Sequence, residues 1–111
     1  MQIDKVQMKK ARTTYGLSAA AMNKICGFGV NTWRLYESGK AEPSKSNMRL
    51  LQYAVTPSGM YALLRICPQE IRKELGKKYT KANTIVLEII NLINKRGESV
   101  RAKIDEEYFK S

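Results

Sequence analysis

Residues 16–40, GLSAAAMNKICGFGVNTWRLYESGK, decide how the rest of the chain is read, because they punctuate two short helices and the turn between them. Ser18 stands where an N-cap is wanted, with a hydroxyl that can accept from an orphan backbone N–H, and Ala19-Ala20-Ala21-Met22 follows with high helix propensity. Met22, Ile25 and Cys26 recur at i, i+3 and i+4, which gives one inward stripe, and Gly27 can end the helix in the left-handed conformation without steric cost. Gly27-Phe28-Gly29 forms the turn. The spacing predicts a second helix from about Val30 to Glu37 that buries Trp33 and Tyr36 and stops at Ser38-Gly39. Two short helices about a glycine-bearing turn are the layout of a helix-turn-helix that reads DNA.

The other face of that second helix carries Val30, Asn31, Arg34 and Leu35. Asn can bond bidentately to adenine, Arg to guanine or a phosphate, and an apolar side chain can pack on a thymine methyl. An ordinary amphipathic surface helix is the competing reading, and the complete turn unit favours DNA.

Arg12, Gly16-Leu17-Ser18, Met22, Gly27, Thr32, Tyr36-Glu37 and Gly39-Lys40 carry a resemblance. Without gaps, over roughly residues 5–66, the chain resembles the phage-repressor (Cro-like, XRE) helix-turn-helix superfamily. More narrowly, GFGVNTWRLYESGKAEPSKSNMRLLQ, residues 27–52, is similar to the helix-turn-helix domain of MqsA-like antitoxins, with an aromatic at Trp33, Gly-Val-Asn opening the recognition helix and Tyr-Glu-x-Gly closing it. The resemblance implies an all-α, lambda-repressor-like five-helix domain that binds a palindromic operator as a homodimer, often at the promoter of its own toxin-antitoxin operon. It also implies a structural ion pair between Arg12 and Glu37. The chain departs from the pattern where Ala19 replaces a common Gln, where Leu35 replaces Arg or Gln with an arginine one place earlier at Arg34, and where Gly29 replaces the usual Ser or Thr cap of the recognition helix. A shift of one residue turns Arg34 by about 100° around the helix, which leaves base and phosphate both open as its target.

Length and charge fit this reading. The 111 residues suffice for a core without staples, and 43% are hydrophobic. Net charge is +10 with no histidine, and residues 1–52 hold nine Lys and Arg against three acids, so +6 lies in or beside the expected DNA-reading half. Such a charge attracts polyanions through counterion release, although a solvated basic surface has the same composition. Cys26 and Cys67 lie 41 positions apart, without a CxxC pair and without a histidine, so no protein-only zinc site and no cofactor is expected. A disulfide is disfavoured by the cytoplasmic location expected for a chain without a signal peptide or a bilayer-length apolar run. When bound to DNA it is expected to associate with the bacterial nucleoid.

Outward from the turn unit, residues 1–4 read as a frayed lead. Lys5 to Tyr15 reads as a first helix with Val6, Met8 and Ala11 inward, stopped by Gly16. Pro43 prevents continuation after the recognition helix and Ser44 caps a helix to Ala54, with Met48, Leu51 and Val55 inward. The N-terminus of this helix, with Ser44 and Lys45, reads equally as a phosphate clamp and as a plain polar cap. Thr56-Pro57 starts a fifth helix with Met60, Leu63 and Leu64 inward, and Cys67-Pro68 starts a sixth that Gly76 halts. Lys77, Lys78 and Lys81 read as a basic linker, Thr80 to Arg96 as the longest helix, ended by Gly97, and Ser99 to Phe109 as a short amphipathic helix that folds back. The long helix is apolar over more than one stripe, so Ile85, Ile89, Ile90 and Ile93 are expected at a dimer or partner interface, with packing on the chain's own domain as the alternative.

These readings divide the chain into a DNA-binding domain, residues 1–66, and a C-terminal helical extension, residues 67–111. The DNA-binding set comprises Ser18, Gly29, Val30, Asn31, Thr32, Arg34, Leu35, Lys40, Ser44 and Lys45. The function expected is a transcriptional repressor of double-stranded DNA, the antitoxin or autoregulatory component of a toxin-antitoxin system. The alternative is an interaction module that neutralises a toxin through its apolar C-terminal helix. The separate, often zinc-bearing domain of MqsA-like antitoxins has no counterpart in this sequence, which leaves a piece of a longer antitoxin, another mode of neutralisation and a stand-alone regulator all open. An enzyme is not expected, because ten scattered acids and no histidine offer no convergent catalytic set.

Overall fold

The computed structural model describes residues 3–104, with side chains through residue 96. Its described elements are all helical: α1 (Lys5–Thr14), α2 (Ala19–Cys26), α3 (Thr32–Ser38), α4 (Lys45–Ala54), α5 (Pro57–Ile66), α6 (Gln69–Leu75) and α7 (Lys77–Ile104). No helix among the described residues is long and apolar enough to cross a membrane.

Local chemistry accounts for most boundaries. Asp4, expected in a frayed lead, instead caps α1: its carboxylate accepts from the Gln7 N–H while the Gln7 side chain accepts from the Asp4 N–H, a reciprocal box. Ser18, Ser44 and Thr56 cap α2, α4 and α5 through their hydroxyls. Gly27 and Gly39 take left-handed conformations at the ends of α2 and α3.

One core runs through the bundle, with Met22, Trp33, Leu51, Met60, Leu64, Ala82 and Val86 fully enclosed. Met8, Ala11 and Tyr15 form the buried edge of α1, at i, i+3 and i+7. Val6, read as inward, is 74% exposed, because that edge runs through Met8 and position 6 lies two residues to its side. Met48 and Val55 are only half-buried. Gly59 marks a close crossing of α4 and α5: a Cβ there would lie 2.3 Å from the Tyr53 carbonyl oxygen and 2.5 Å from the Tyr53 Cα.

The C-terminal half departs furthest from the sequence reading. Lys77, Lys78 and Lys81 are not a linker but the first turns of α7, which continues through Gly97. A mid-helix glycine costs only about 1 kcal/mol relative to alanine, too little to stop a helix by itself. Residues 99–104 thus belong to α7, not to a separate returning helix, and the rest of that expected segment, 105–109, lies outside the described residues. Ala82 and Val86 join the common core, and Ile85, Ile89 and Ile90 pack against it half-buried, so these three expected interface residues contact their own bundle. Ile93 remains 50% exposed, and Leu92 is more so. Val86→Ala should destabilise the protein by about 2 kcal/mol in urea denaturation, two methyl groups plus a cavity, whereas Val6→Ala should change stability by less than about 0.5 kcal/mol.

Candidate nucleic-acid interface

The stretch 16–40 folds into α2, a five-residue connection and α3, but α3 begins two residues later than its sequence suggests. Thr32 is its first residue and Asn31 its N-cap, so Gly29 is not the cap and Val30 lies in the connection. Asn31 sits at φ 62°, ψ 5° and is the one non-glycine residue with positive φ among the described residues. Asn and Asp occupy this region more readily than other side chains. The Asn31 side chain makes no capping bond to its own helix. The bond is supplied from outside: the Asn23 side-chain carbonyl on α2 accepts from the Trp33 backbone N–H at 2.6 Å. Asn23 was not singled out from the sequence, since a capping acceptor ten residues away leaves no local spacing signal.

A second set of bonds fixes the other end of α3. Glu37 accepts from Arg12 Nε and Nη2, each at 2.8 Å, and from Trp33 Nε1 at 2.8 Å. These bonds hold the Glu37 carboxyl below the usual carboxylate range, with the Arg12 hydrogen bond as the largest cause and burial opposing it. Asn47 Nδ2 donates to the Tyr36 hydroxyl at 2.8 Å, tying the start of α4 to α3. Phe28 packs edge-on against Tyr36, with ring centroids 5.8 Å apart.

What this scaffold leaves uncovered is the connection and the outer side of α3. Gly29, Val30, Asn31, Arg34 and Leu35 are exposed, Val30 at 89%, while Thr32 is half-buried. Arg34 and Ser18 meet across an open cleft between α1, the start of α2 and α3, and Lys5, Lys9 and Arg12 line the same cleft. Glu37 is its acid, already bonded to Arg12 and Trp33. Lys40 is exposed on the loop after α3, and Lys45 is exposed in the first turn of α4. The Ser18 and Ser44 hydroxyls accept from Ala21 and Asn47 N–H groups, so each already serves its own helix. Lys5 and Lys9, which add to the positive cleft, were not among the residues singled out from the sequence.

Both cysteines are buried and free, and burial raises both thiols. Burial pushes the Cys26 thiol up to about 12, which suppresses the reactive thiolate at neutral pH. Among the described residues no group of three His, Cys, Asp or Glu could hold a metal ion.

The depressed Glu37 titration has a sign that can be tested. A carboxyl whose folded value lies below its unfolded value contributes stability above the unfolded value and loses it as pH falls through the folded one. Wild-type stability should therefore fall more steeply on acidification below the usual carboxylate range than that of Glu37→Gln, and denaturant titrations across that range read the difference directly.

No family model matches the chain, and no curated protein or solved structure matches it, so its chemistry is read from its own residues.

Proposed function

We propose that the protein is a sequence-specific, non-enzymatic regulator of double-stranded DNA. In this reading α2 and α3 act as a lambda-repressor-like helix-turn-helix and α3 enters the major groove of each half-site of a palindromic operator. The observation that carries the reading is the combination of a firmly tied α3 with an exposed outer edge: Asn23, Glu37 and Asn47 hold its inner side, while Asn31, Arg34 and Leu35 are exposed, Arg34 in one cleft with Lys5 and Lys9. Asn31 is assigned to an adenine edge, Val30 and Leu35 to thymine methyls, and Arg34 to a guanine or a phosphate. Ser18, Gly29, Thr32, Lys40, Ser44 and Lys45 are assigned to positioning on the phosphate backbone. The autoregulatory component of a toxin-antitoxin system, acting in the cytoplasm, is the role we assign to such a regulator, and the resemblance to MqsA-like antitoxins supports it.

A homodimer completes the operator reading, and the outward apolar residues Leu92 and Ile93 on α7 supply a surface for it. The same surface favours a second reading, an interaction module that captures a toxin there. Sedimentation separates the two. For a homodimer, wild-type protein sediments at twice the chain mass and Ile93→Asp at the chain mass; a wild-type monomer directs the search to another partner.

The DNA reading is tested by titrating the protein against duplex from upstream of its own gene, alongside scrambled duplex. With six or more phosphate contacts per dimer, affinity should drop on the order of a thousandfold between 50 and 200 mM salt. Asn31→Gly isolates the base contact, because glycine accepts the left-handed backbone and removes only the side chain. It should keep stability and non-specific affinity while losing ~1–3 kcal/mol of discrimination per half-site. An unchanged footprint would remove Asn31 from the reading set.

A further inference from the structure

We infer that Asn23, on α2, is a specificity-positioning residue that sets the angle of α3 on DNA by capping it from outside. The inference rests on the DNA reading proposed above and extends it to a residue that touches no nucleic acid.

The first turn of an α-helix carries N–H groups without intrahelical partners, and a side-chain oxygen at the N-cap ordinarily accepts from the second or third of them. In α3 the N-cap residue, Asn31, makes no such bond although asparagine is among the strongest capping residues. The N–H of Trp33, the second residue of α3, is instead satisfied by the Asn23 side chain. Asn23 is 8% exposed, and Trp33 beneath it is fully buried.

Two consequences follow from moving the cap onto a neighbouring helix. A cap within one helix tightens that helix alone, whereas this bond spans the two helices and fixes their mutual orientation. Second, it supplies the cap that Asn31 does not: with its backbone left-handed and not extended, Asn31 makes no capping bond, so both its donor and its acceptor remain for a base edge. Asparagine needs both to bond bidentately to adenine. Loss of the Asn23 bond would leave the Trp33 N–H without its side-chain acceptor and untie the start of α3 from α2. The angle at which α3 presents Asn31 and Arg34 would then relax, and the contact with DNA would weaken although no DNA-facing residue had changed.

The inference predicts that Asn23→Ala lowers the operator-to-scrambled affinity ratio by about tenfold to a hundredfold for each half-site, the range of a lost bidentate base contact. The slope of affinity against salt should stay as in wild type, because the phosphate contacts are untouched. Asn23→Asp keeps an oxygen at the same place and should restore most of the ratio. Asn23→Ser, too short to reach Trp33, should behave like Asn23→Ala and provides a second variant should alanine disturb folding. The probe is an operator duplex selected by wild-type protein from a random-sequence pool, with circular dichroism and Trp33 fluorescence reporting the fold.

A wild-type ratio retained in Asn23→Ala and Asn23→Ser would overturn the inference while leaving the DNA reading in place. So would loss of specificity that Asn23→Asp does not restore. Wild-type protein that selects no duplex overturns the DNA reading and this inference together.

Discussion

The Glu37 carboxylate, with three N–H donors converging on it, is the constraint on which the working face depends. Two come from the Arg12 guanidinium on α1 and one from the Trp33 indole a turn earlier on α3. A carboxylate on a seven-residue helix gains little from that helix alone, since so short a segment is not stable in water by itself. Tied to α1 through a planar, two-bonded guanidinium, it holds the helix against rotation about its axis, which a point charge such as lysine could not do as well. Trp33 contributes in both directions, its ring filling the centre of the core while its indole N–H and its backbone N–H engage Glu37 and Asn23. The inner side of α3 is thus tied to α1, α2 and α4, while Arg34 and Leu35 on its outer side stay exposed.

Much of this was legible in the sequence because it is local. Ser18, Ser44 and Thr56-Pro57 act within a few residues of themselves, and Gly27, Gly39 and Gly76 take the positive φ that other side chains resist. The spacing of Met22, Ile25 and Cys26 likewise gave the buried face of α2. What escaped depends on partners far along the chain. Local spacing puts the start of α3 two residues early because Gly29 looks like a cap in isolation, whereas the acceptor sits on α2. Lys5 and Lys9 carry no local signal of a site, and only the fold of α1 beside α3 places them in the cleft with Arg34.

The apolar breadth of α7 illustrates the same limit from the other direction. Seven aliphatic residues between Ile85 and Ile93 signalled burial on more than one side, but sequence could not say against what. The structure divides them: Val86 is enclosed, Ile85, Ile89 and Ile90 are half-covered by the bundle, and Leu87, Leu92 and Ile93 stay outward. One helix thereby serves as core at its beginning and as surface further on.

The crossing at Gly59 gives this arrangement a mechanical meaning. With only a hydrogen between α5 and the backbone at Tyr53, α4 and α5 meet at backbone range, and α7, about 42 Å long, packs along α5. A methyl group at this position would meet the Tyr53 carbonyl oxygen and Cα, so the backbone of one helix must shift to admit it. The spacing of α4 and α5 at their joint is thus set by the absence of a single carbon atom.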